Sequence, residues 1–213
     1  MTFLNYLISG IGLGSIYAII ALGYTMVYGI AKMLNFAHGD VIMVGAYICY
    51  FAMSGLGGAG LPLGATAILG TLAAMAVCTV LGVVIEGLAY KPLRQAGSLA
   101  VLITAIGVSY FLQNAAQLLW TSSPKMFTPV LSRDLQLSLP GGLSVSVLTI
   151  LTVAVCVVIM VGLTLFTGRT KMGKAMRAVS EDKAAAQLMG IDVNRTISMT
   201  FAIGSALAAI AGV

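Results

Sequence analysis

The feature that most constrains this chain is a succession of long apolar segments separated by short polar ones. A run of about 20 apolar residues is long enough to cross the hydrocarbon core of a bilayer as a helix. With 60% apolar and only 8% charged residues, the 213-residue chain cannot cover these runs with a polar surface. The pattern predicts a polytopic membrane protein and argues against a soluble enzyme. About six spans are expected, at 3–30, 34–54, 63–90, 99–120, 145–167 and 196–213.

The basic residues predict how the chain is oriented. Loops 91–98 and 168–195 are basic and are separated by two spans, so both are expected on the cytoplasmic side, opposite residues 121–144. This arrangement places the N-terminus outside, unless the second segment is re-entrant. Its apolar run of 13 residues spans only if it borrows residues 33–37. The last segment ends in AAIAGV without a polar flank, so the chain is expected to be truncated at its C-terminus.

Small residues recur every four positions in several predicted spans, which is typical of membrane helices that pack closely. In the third span the series leads to Glu86, a carboxylate that is expected to reach the membrane surface and pair with Lys91 or Arg94, in preference to a role in a proton relay. A neighbouring helix is expected to press against the series of the third span, and the series of the first span is interpreted as an interhelical seam in preference to a substrate contact. The series are Gly70, Ala74, Cys78 and Gly82 in the third span, Gly10, Gly14 and Ala18 in the first, and Gly204, Ala208 and Gly212 in the last.

Two groups of polar residues lie within or beside the predicted spans. The group before the second span is suited to cap a helix that starts near Val41, or to line a polar path. The group in the fourth span follows i, i+3, i+4 and i+7 spacing and forms one polar face, which is expected to face the bundle interior. Whether this face contacts a solute or another helix stays open. The candidate translocation-path residues are Asn35, His38, Asp40, Tyr110, Gln113, Asn114 and Gln117.

The chain contains no pattern typical of a catalytic or metal site. Residues 168–175, GRTKMGKA, have the spacing of a phosphate-binding loop, but Ala175 occupies the position of the magnesium-binding Ser or Thr. The segment also follows a membrane helix and not a strand. The only histidine is His38, and the three cysteines lie in apolar runs without metal-ligand spacing. We therefore expect no catalytic residues, no metal site and no cofactor bound by this chain.

A polar loop, residues 168–195, holds 6 of the 11 Lys and Arg residues and 3 of the 6 acidic residues. It is predicted to contain a short helix over residues 181–189. Ser180 is suited to the N-cap, and Gly190 to the left-handed position just past the C-terminus. Two acidic residues in the first turn would complement the positive end of the helix dipole. Because so short a helix is marginal in isolation, a partner surface is expected to hold it.

The polar loop resembles the cytoplasmic coupling loop of bacterial ABC importer permeases, whose pattern is Glu-Ala-Ala, three residues, then Gly. In AAAQLMG, Ala184 occupies the Glu position. Residues 14–47, GSIYAIIALGYTMVYGIAKMLNFAHGDVIMVGAY, resemble the branched-chain amino acid permease family of the LivH type, and with RAVSEDKAAAQLMGIDVNR the resemblance extends through the chain. It implies an all-α, polytopic transmembrane helical bundle, one permease domain over 1–213. The ATPase-coupling residues that it implies are Ser180, Glu181, Asp182, Ala184, Ala185, Ala186 and Gly190.

The resemblance also implies a role and a set of partners. It implies a subunit, without enzymatic activity, of an ATP-driven importer of Leu, Ile and Val in the bacterial inner membrane. The implied partners are a second permease subunit, two cytoplasmic ATP-binding subunits that hold ATP and Mg, a periplasmic substrate-binding protein and the lipid bilayer, with no nucleic acid. Two alternatives stay open. One is a urea or amide permease of the same family, and the other an ion-coupled secondary transporter, for which only His38 and Asp40 are available.

Overall fold

The computed structural model describes residues 2–58, 60–94, 96–126, 136–139 and 143–213. Within these ranges the chain is mainly helical, and six of its helices are long and apolar enough to cross a membrane. This confirms the predicted all-α, polytopic bundle. The elements are α1 (Thr2–Ala31), α2 (His38–Gly58), α3 (Leu63–Ile85), α4 (Ser98–Trp120), β1 (Gln136–Leu139), β2 (Leu143–Ser146), α5 (Val147–Arg169), α6 (Lys171–Glu181), α7 (Lys183–Leu188) and α8 (Val193–Gly212).

The core of the bundle is built around α8. This helix packs against α1, α2 and α3, and α2 packs against α3. In its most apolar stretch 50% of the residues are buried, against at most 28% in the other described spans. The two short strands, β1 and β2, pair antiparallel with Gln136 opposite Ser146 and lie between α4 and α5 in the chain. The last spanning helix along the described chain is therefore also the central one.

Small residues let the core helices approach closely, as the sequence predicts for α3 and α8. A Cβ added to Gly70 would lie 3.2 Å from the Cys49 sulfur of α2, and one added to Gly82 would lie 2.7 Å from the Ser205 Cβ of α8. Gly204 of α8 approaches α1 in the same way. The prediction for α1 was wrong, because Gly10 and Gly14 have nothing within 4 Å of an added Cβ. The close approaches of α1 are made by Gly12 against α5 and Gly23 against α8.

Replacing Gly82 with Val is expected to lower the free energy of unfolding by about 2–3 kcal/mol, because the new side chain separates α3 from α8. The Ser205 side chain can rotate away, but the backbone oxygen of Phe201, 3.1 Å from the added Cβ, cannot. Denaturant unfolding in detergent would measure the change. Gly107→Val is the matched control, since an added Cβ at Gly107 has nothing within 4 Å. Equal stability of the two variants would contradict a tight α3–α8 contact.

The second span differs in its limits from the predicted one. It begins at His38 and covers 21 residues to Gly58, so it neither starts near Val41 nor borrows residues 33–37. The added length comes from polar residues at its start and from the glycine-rich sequence at its end. Residues 32–37 instead connect α1 to α2, and Lys32 has a φ of 57° directly after α1 ends.

The end of α3 is irregular. The helix widens into a π-helical turn over Glu86–Tyr90 and tightens into a 3₁₀ turn over Lys91–Leu93. Pro92 lies in this second turn, where it lacks a backbone N–H and its ring excludes regular α-helical geometry. The wider turn directs both Glu86 and Tyr90 into the protein, where they are buried.

The polar loop forms two helices, where one had been predicted. The corner between α5 and α6 is tight, because a Cβ on Gly173 would overlap the backbone of Phe166 and Thr167. One side of α6 buries Met176 and Val179, and α6 packs against α1 and α8. The polar loop therefore folds against the end of the bundle where α1 ends and α8 begins. We call this the polar end.

Candidate functional site

The helix α7 is fixed at both of its ends. Asp182 is its N-cap, and its Oδ1 accepts hydrogen bonds from the N–H groups of Ala184 at 2.7 Å and Ala185 at 3.1 Å. At the other end Gly190 has a φ of 81°. Its N–H donates to the Gln187 carbonyl, and the N–H of Ile191 donates to the Ala186 carbonyl, both at 3.0 Å. This is a Schellman motif, and the predicted left-handed conformation of Gly190 is confirmed.

The predicted N-cap and the predicted helix start were wrong. Ser180 lies in the last turn of α6, where its hydroxyl donates to the Arg177 carbonyl at 2.7 Å. Glu181 ends α6, and the chain is extended at Asp182, with φ −148° and ψ 116°. The carboxylate of Asp182 reaches two free N–H groups from this extended position. Ser180 cannot do so, because a serine inside a helix bonds back to a carbonyl of the preceding turn.

The two faces of α7 differ in exposure. Ala186 is buried against the rest of the chain, whereas Leu188 is 88% exposed and Met189 is 82% exposed. Ala184 and Ala185 are exposed as well. An exposed apolar pair on a short helix that is held rigidly at both ends is typical of a surface that contacts another protein.

Lys183, the first residue of α7, joins this helix to the end of α1. Its ammonium donates to the Ala31 carbonyl at 2.7 Å, where the dipole of α1 is negative. Burial is the main cause that lowers the pKa of Lys183, and the positive charges of Arg94 and Lys32 lower it further. The helix α7 also contacts α8, so it touches two helices of the core.

A buried ionic cluster connects the end of α3 to the start of α8. Glu86 is 1% exposed and forms an ion pair with Arg94. Its second carboxylate oxygen accepts from the Ser198 hydroxyl at 2.5 Å, and Arg94 also donates to Asn194. The predicted pairing of Glu86 with Arg94 is confirmed. The prediction that the carboxylate reaches outward to the membrane surface was wrong, because it is directed into the protein towards Ser198.

The polar residues at the start of α2 contact other helices. The amide oxygen of Asn35 accepts from the Tyr90 hydroxyl at 3.1 Å. His38 is buried, with its ring in edge contact with Tyr24 of α1 at a centroid distance of 5.9 Å. Asp40 is buried too and accepts from two residues of α4. The prediction that these side chains cap α2 was wrong, since each of them is directed at a neighbouring helix.

The polar face of α4 meets α2 at one point. Gln113 donates to Asp40 at 3.0 Å, beside Ser109, whose hydroxyl donates to the same carboxylate at 2.5 Å. Tyr110 is 62% exposed, and the Asn114 amide donates to a carbonyl of its own helix at 2.7 Å. Gln117 is exposed. Among the described residues, α4 packs mainly through α2 and the turn after α3, and the rest of this face is not covered by this chain. That the face lies in a bundle interior stays a prediction.

Residues 168–175 do not form a phosphate-binding loop. They comprise the end of α5 and the first turns of α6, and the Thr170 hydroxyl caps α6 by accepting from the Gly173 N–H at 2.9 Å. Among the described residues, no group of three or more His, Cys, Asp or Glu side chains is placed to hold a metal ion.

Six helices that are long and apolar enough to cross a membrane, with a capped helix at the polar end, define a polytopic membrane protein. A family model described as "Branched-chain amino acid transport system / permease component" matches residues 6–213. The chain belongs to this family of branched-chain amino acid permeases, of the LivH type.

Individual relatives agree with this assignment. The Pseudomonas aeruginosa protein named "High-affinity branched-chain amino acid transport system permease protein BraD" is 44% identical over 214 residues, covering 99% of this chain and 70% of that protein. LivH of Escherichia coli is 40% identical with the same coverage. The probable LivH of Methanocaldococcus jannaschii is 27% identical over 200 residues, covering 93% of this chain and 61% of that protein. No solved structure matches the chain.

Proposed function

We propose that this chain is a permease subunit of an ATP-driven importer of branched-chain amino acids, and that separate ATPase subunits drive it through α7. The names of its relatives support the substrate class. The observation that carries the coupling role is α7 itself. Asp182 and Gly190 fix its two ends. Leu188 and Met189 are exposed at the polar end, where a partner can reach them.

The contacts of α7 suggest how movement would enter the bundle. Closure of an ATPase pair on ATP and Mg would displace α7 as a rigid body. Lys183 would transfer this displacement to the end of α1, and the short connection through Ile191 would transfer it to α8. Since α8 contacts α1, α2 and α3, the core would respond as a unit.

The same proposal assigns the remaining partners. The polar end lies on the cytoplasmic side of the bacterial inner membrane, where it meets two ATP-binding subunits. A periplasmic substrate-binding protein delivers the amino acid to the opposite end. A second permease subunit covers the exposed polar face of α4, because uncovered amide and hydroxyl groups are unfavourable in lipid. The translocation path then follows this face, with Asp40, Gln113, Asn114 and Gln117 along it.

Replacing Gly190 with Val tests the coupling role. A β-branched residue is strained at a φ of 81°, by about 1–2 kcal/mol, so the Schellman end should unwind. We expect ATP-driven leucine uptake into proteoliposomes to fall at least about tenfold, while the subunits still assemble and hydrolyse ATP. Uptake of labelled leucine, with urea as the comparison solute, and phosphate release would be measured together.

Gly168→Val is the matched control, because Gly168 lies in the same polar loop and an added Cβ there has nothing within 4 Å. This control should transport at the rate of the unmodified protein. Normal leucine uptake by the Gly190 variant would contradict the coupling role of α7. Urea uptake in place of leucine uptake would contradict the substrate class but not the coupling.

A further inference from the structure

A cavity of about 310 Å³ lies at the polar end, between the end of α1 and the start of α4. Three cationic side chains line it, those of Lys32, Arg94 and Lys183. Ser98, the first residue of α4, lies at its wall. The rest of the lining includes side chains of membrane-spanning helices, Tyr28, Val101 and Leu102 among them. The cavity is thus cationic on one part of its wall and apolar on another.

The positive charge of this cavity is only partly balanced. Glu86 neutralises Arg94, and no other ion pair is found among the described residues, which leaves Lys32 and Lys183 without an acidic partner. The pKa of Lys183 is lowered mainly by burial, and the positive charges of Arg94 and Lys32 lower it further. The N-terminus of α4 adds the positive end of a helix dipole, and its N-cap, Gly97, offers no side chain to the first N–H groups.

The backbone of Lys32 has an unusual conformation for a residue with a side chain. Its φ of 57° is a left-handed conformation that glycine usually adopts just past a helix end. A residue with a Cβ costs about 1–2 kcal/mol there. Such strain tends to occur where a side chain is required at a functional position. Here the strained residue brings an ammonium group to the cavity wall.

We propose that this cavity binds the phosphate headgroup of an anionic phospholipid from the adjoining leaflet. Phosphate oxygens suit Lys32, Lys183 and the free N–H groups of α4, as at other helix N-termini that bind anions. An acyl chain can lie against Tyr28, Val101 and Leu102, which belong to spanning helices, whereas a soluble anion would leave this apolar wall unused. Basic cavities between membrane helices are suited to such headgroups.

The position of Lys183 gives the bound lipid a consequence for α7. Lys183 is the first residue of α7 and already contacts the end of α1. A phosphate held by Lys183, Lys32 and the start of α4 would link these three elements. The lipid would then hold α7 against the bundle. This role does not depend on which solute the protein transports.

The variant Lys32→Gly separates binding from folding. Glycine removes the cation but also relieves the left-handed strain, so this variant should be at least as stable as the unmodified protein without lipid. The chain, purified in detergent with the subunits that accompany it, would be heated with phosphatidylglycerol, with phosphatidylcholine or with inorganic phosphate. The midpoint of thermal unfolding would be recorded at increasing concentrations of each.

We expect phosphatidylglycerol to raise the unfolding midpoint of the unmodified protein, and phosphatidylcholine to raise it much less. Lys32→Gly should need about fivefold more phosphatidylglycerol for the same increase. The control Lys174→Gln removes one charge from the same end but lies outside the cavity, on the exposed side of α6, and should respond like the unmodified protein.

Three results would overturn the proposal. The first is an equal response of Lys32→Gly and the unmodified protein to phosphatidylglycerol. The second is an equal effect of the two lipids, which would show that the headgroup charge is not recognised. The third is an inorganic phosphate effect as large as that of phosphatidylglycerol, which would assign the cavity to a soluble anion.

Discussion

Replacing Leu188 with Glu is expected to abolish ATP-driven leucine uptake and to release the ATPase subunits from the membrane complex. Leu188 is 88% exposed at the end of α7, so its side chain is available to a partner and contributes little to the fold of this chain. Burying a carboxylate in an apolar contact, and losing the leucine, should weaken the interaction by about 2–4 kcal/mol, or roughly 30- to 1,000-fold. Co-purification of the ATPase subunits and uptake in proteoliposomes would measure the effect.

The neighbouring variant Gln187→Glu is the control for charge. It places the same carboxylate on the same helix at an exposed position, one residue before Leu188. We expect it to retain more than half of the uptake, and both variants to unfold at the temperature of the unmodified protein. Normal uptake and normal association in the Leu188 variant would refute the docking surface.

Replacing Arg94 with Met is expected to have the largest effect on stability, a loss of about 3–5 kcal/mol in the free energy of unfolding. The reason is that Glu86, which is 1% exposed, would keep a buried carboxylate without its cation. Ser198 would still donate one hydrogen bond, but a neutral donor does not balance the charge. Denaturant unfolding in detergent would give the change in free energy.

The double variant Arg94→Met with Glu86→Leu separates the effect of buried charge on stability from the effect of side-chain packing. Removing both charges replaces the ion pair by apolar groups of similar volume, so most of the lost stability should return. If the double variant is as unstable as the sum of the two single variants, packing around these residues and not their charge holds the end of α3. If the Arg94 variant is as stable as the unmodified protein, the pairing contributes nothing.

Local features were predictable from the sequence, because they depend on near neighbours in the chain. Apolar runs of spanning length predict the helices of the bundle, and the series from Gly70 to Gly82 predicts a face that another helix contacts. Gly190 was predicted correctly for the same reason. Its left-handed conformation follows from a helix end and a residue without a Cβ, both of which are visible in a few letters of sequence.

Features that depend on distant contacts were not predictable. Ser180 and Asp182 are both good caps by type, and the choice between them is made by the α6 helix, which continues through Ser180 while it packs on α1 and α8. Glu86 lies near the end of a predicted span, which suggests a carboxylate at the membrane surface. In the structure it lies in the turn before Pro92 and is directed inward to Ser198. Gly10 and Gly14 have the spacing of a contact face, yet no described helix lies close enough to use them.

The cationic cavity is the clearest case of a site hidden from the sequence. Lys32, Arg94 and Lys183 are separated by long stretches of chain, and each one by itself is an ordinary basic residue outside the predicted spans. Only the folded chain brings them together. The left-handed backbone of Lys32 is likewise invisible in sequence, since a lysine gives no reason to expect it.

The seam of α3 is made mainly of small side chains, those of Gly70, Ala74, Cys78 and Gly82. Helices that meet at such short range lose much van der Waals energy if they separate. Sliding of α3 along α8 is opposed as well, because the Ser198 hydroxyl of α8 donates to Glu86 at the end of α3. We therefore expect α3 and α8 to keep their register and to move as one body whenever the permease changes its conformation.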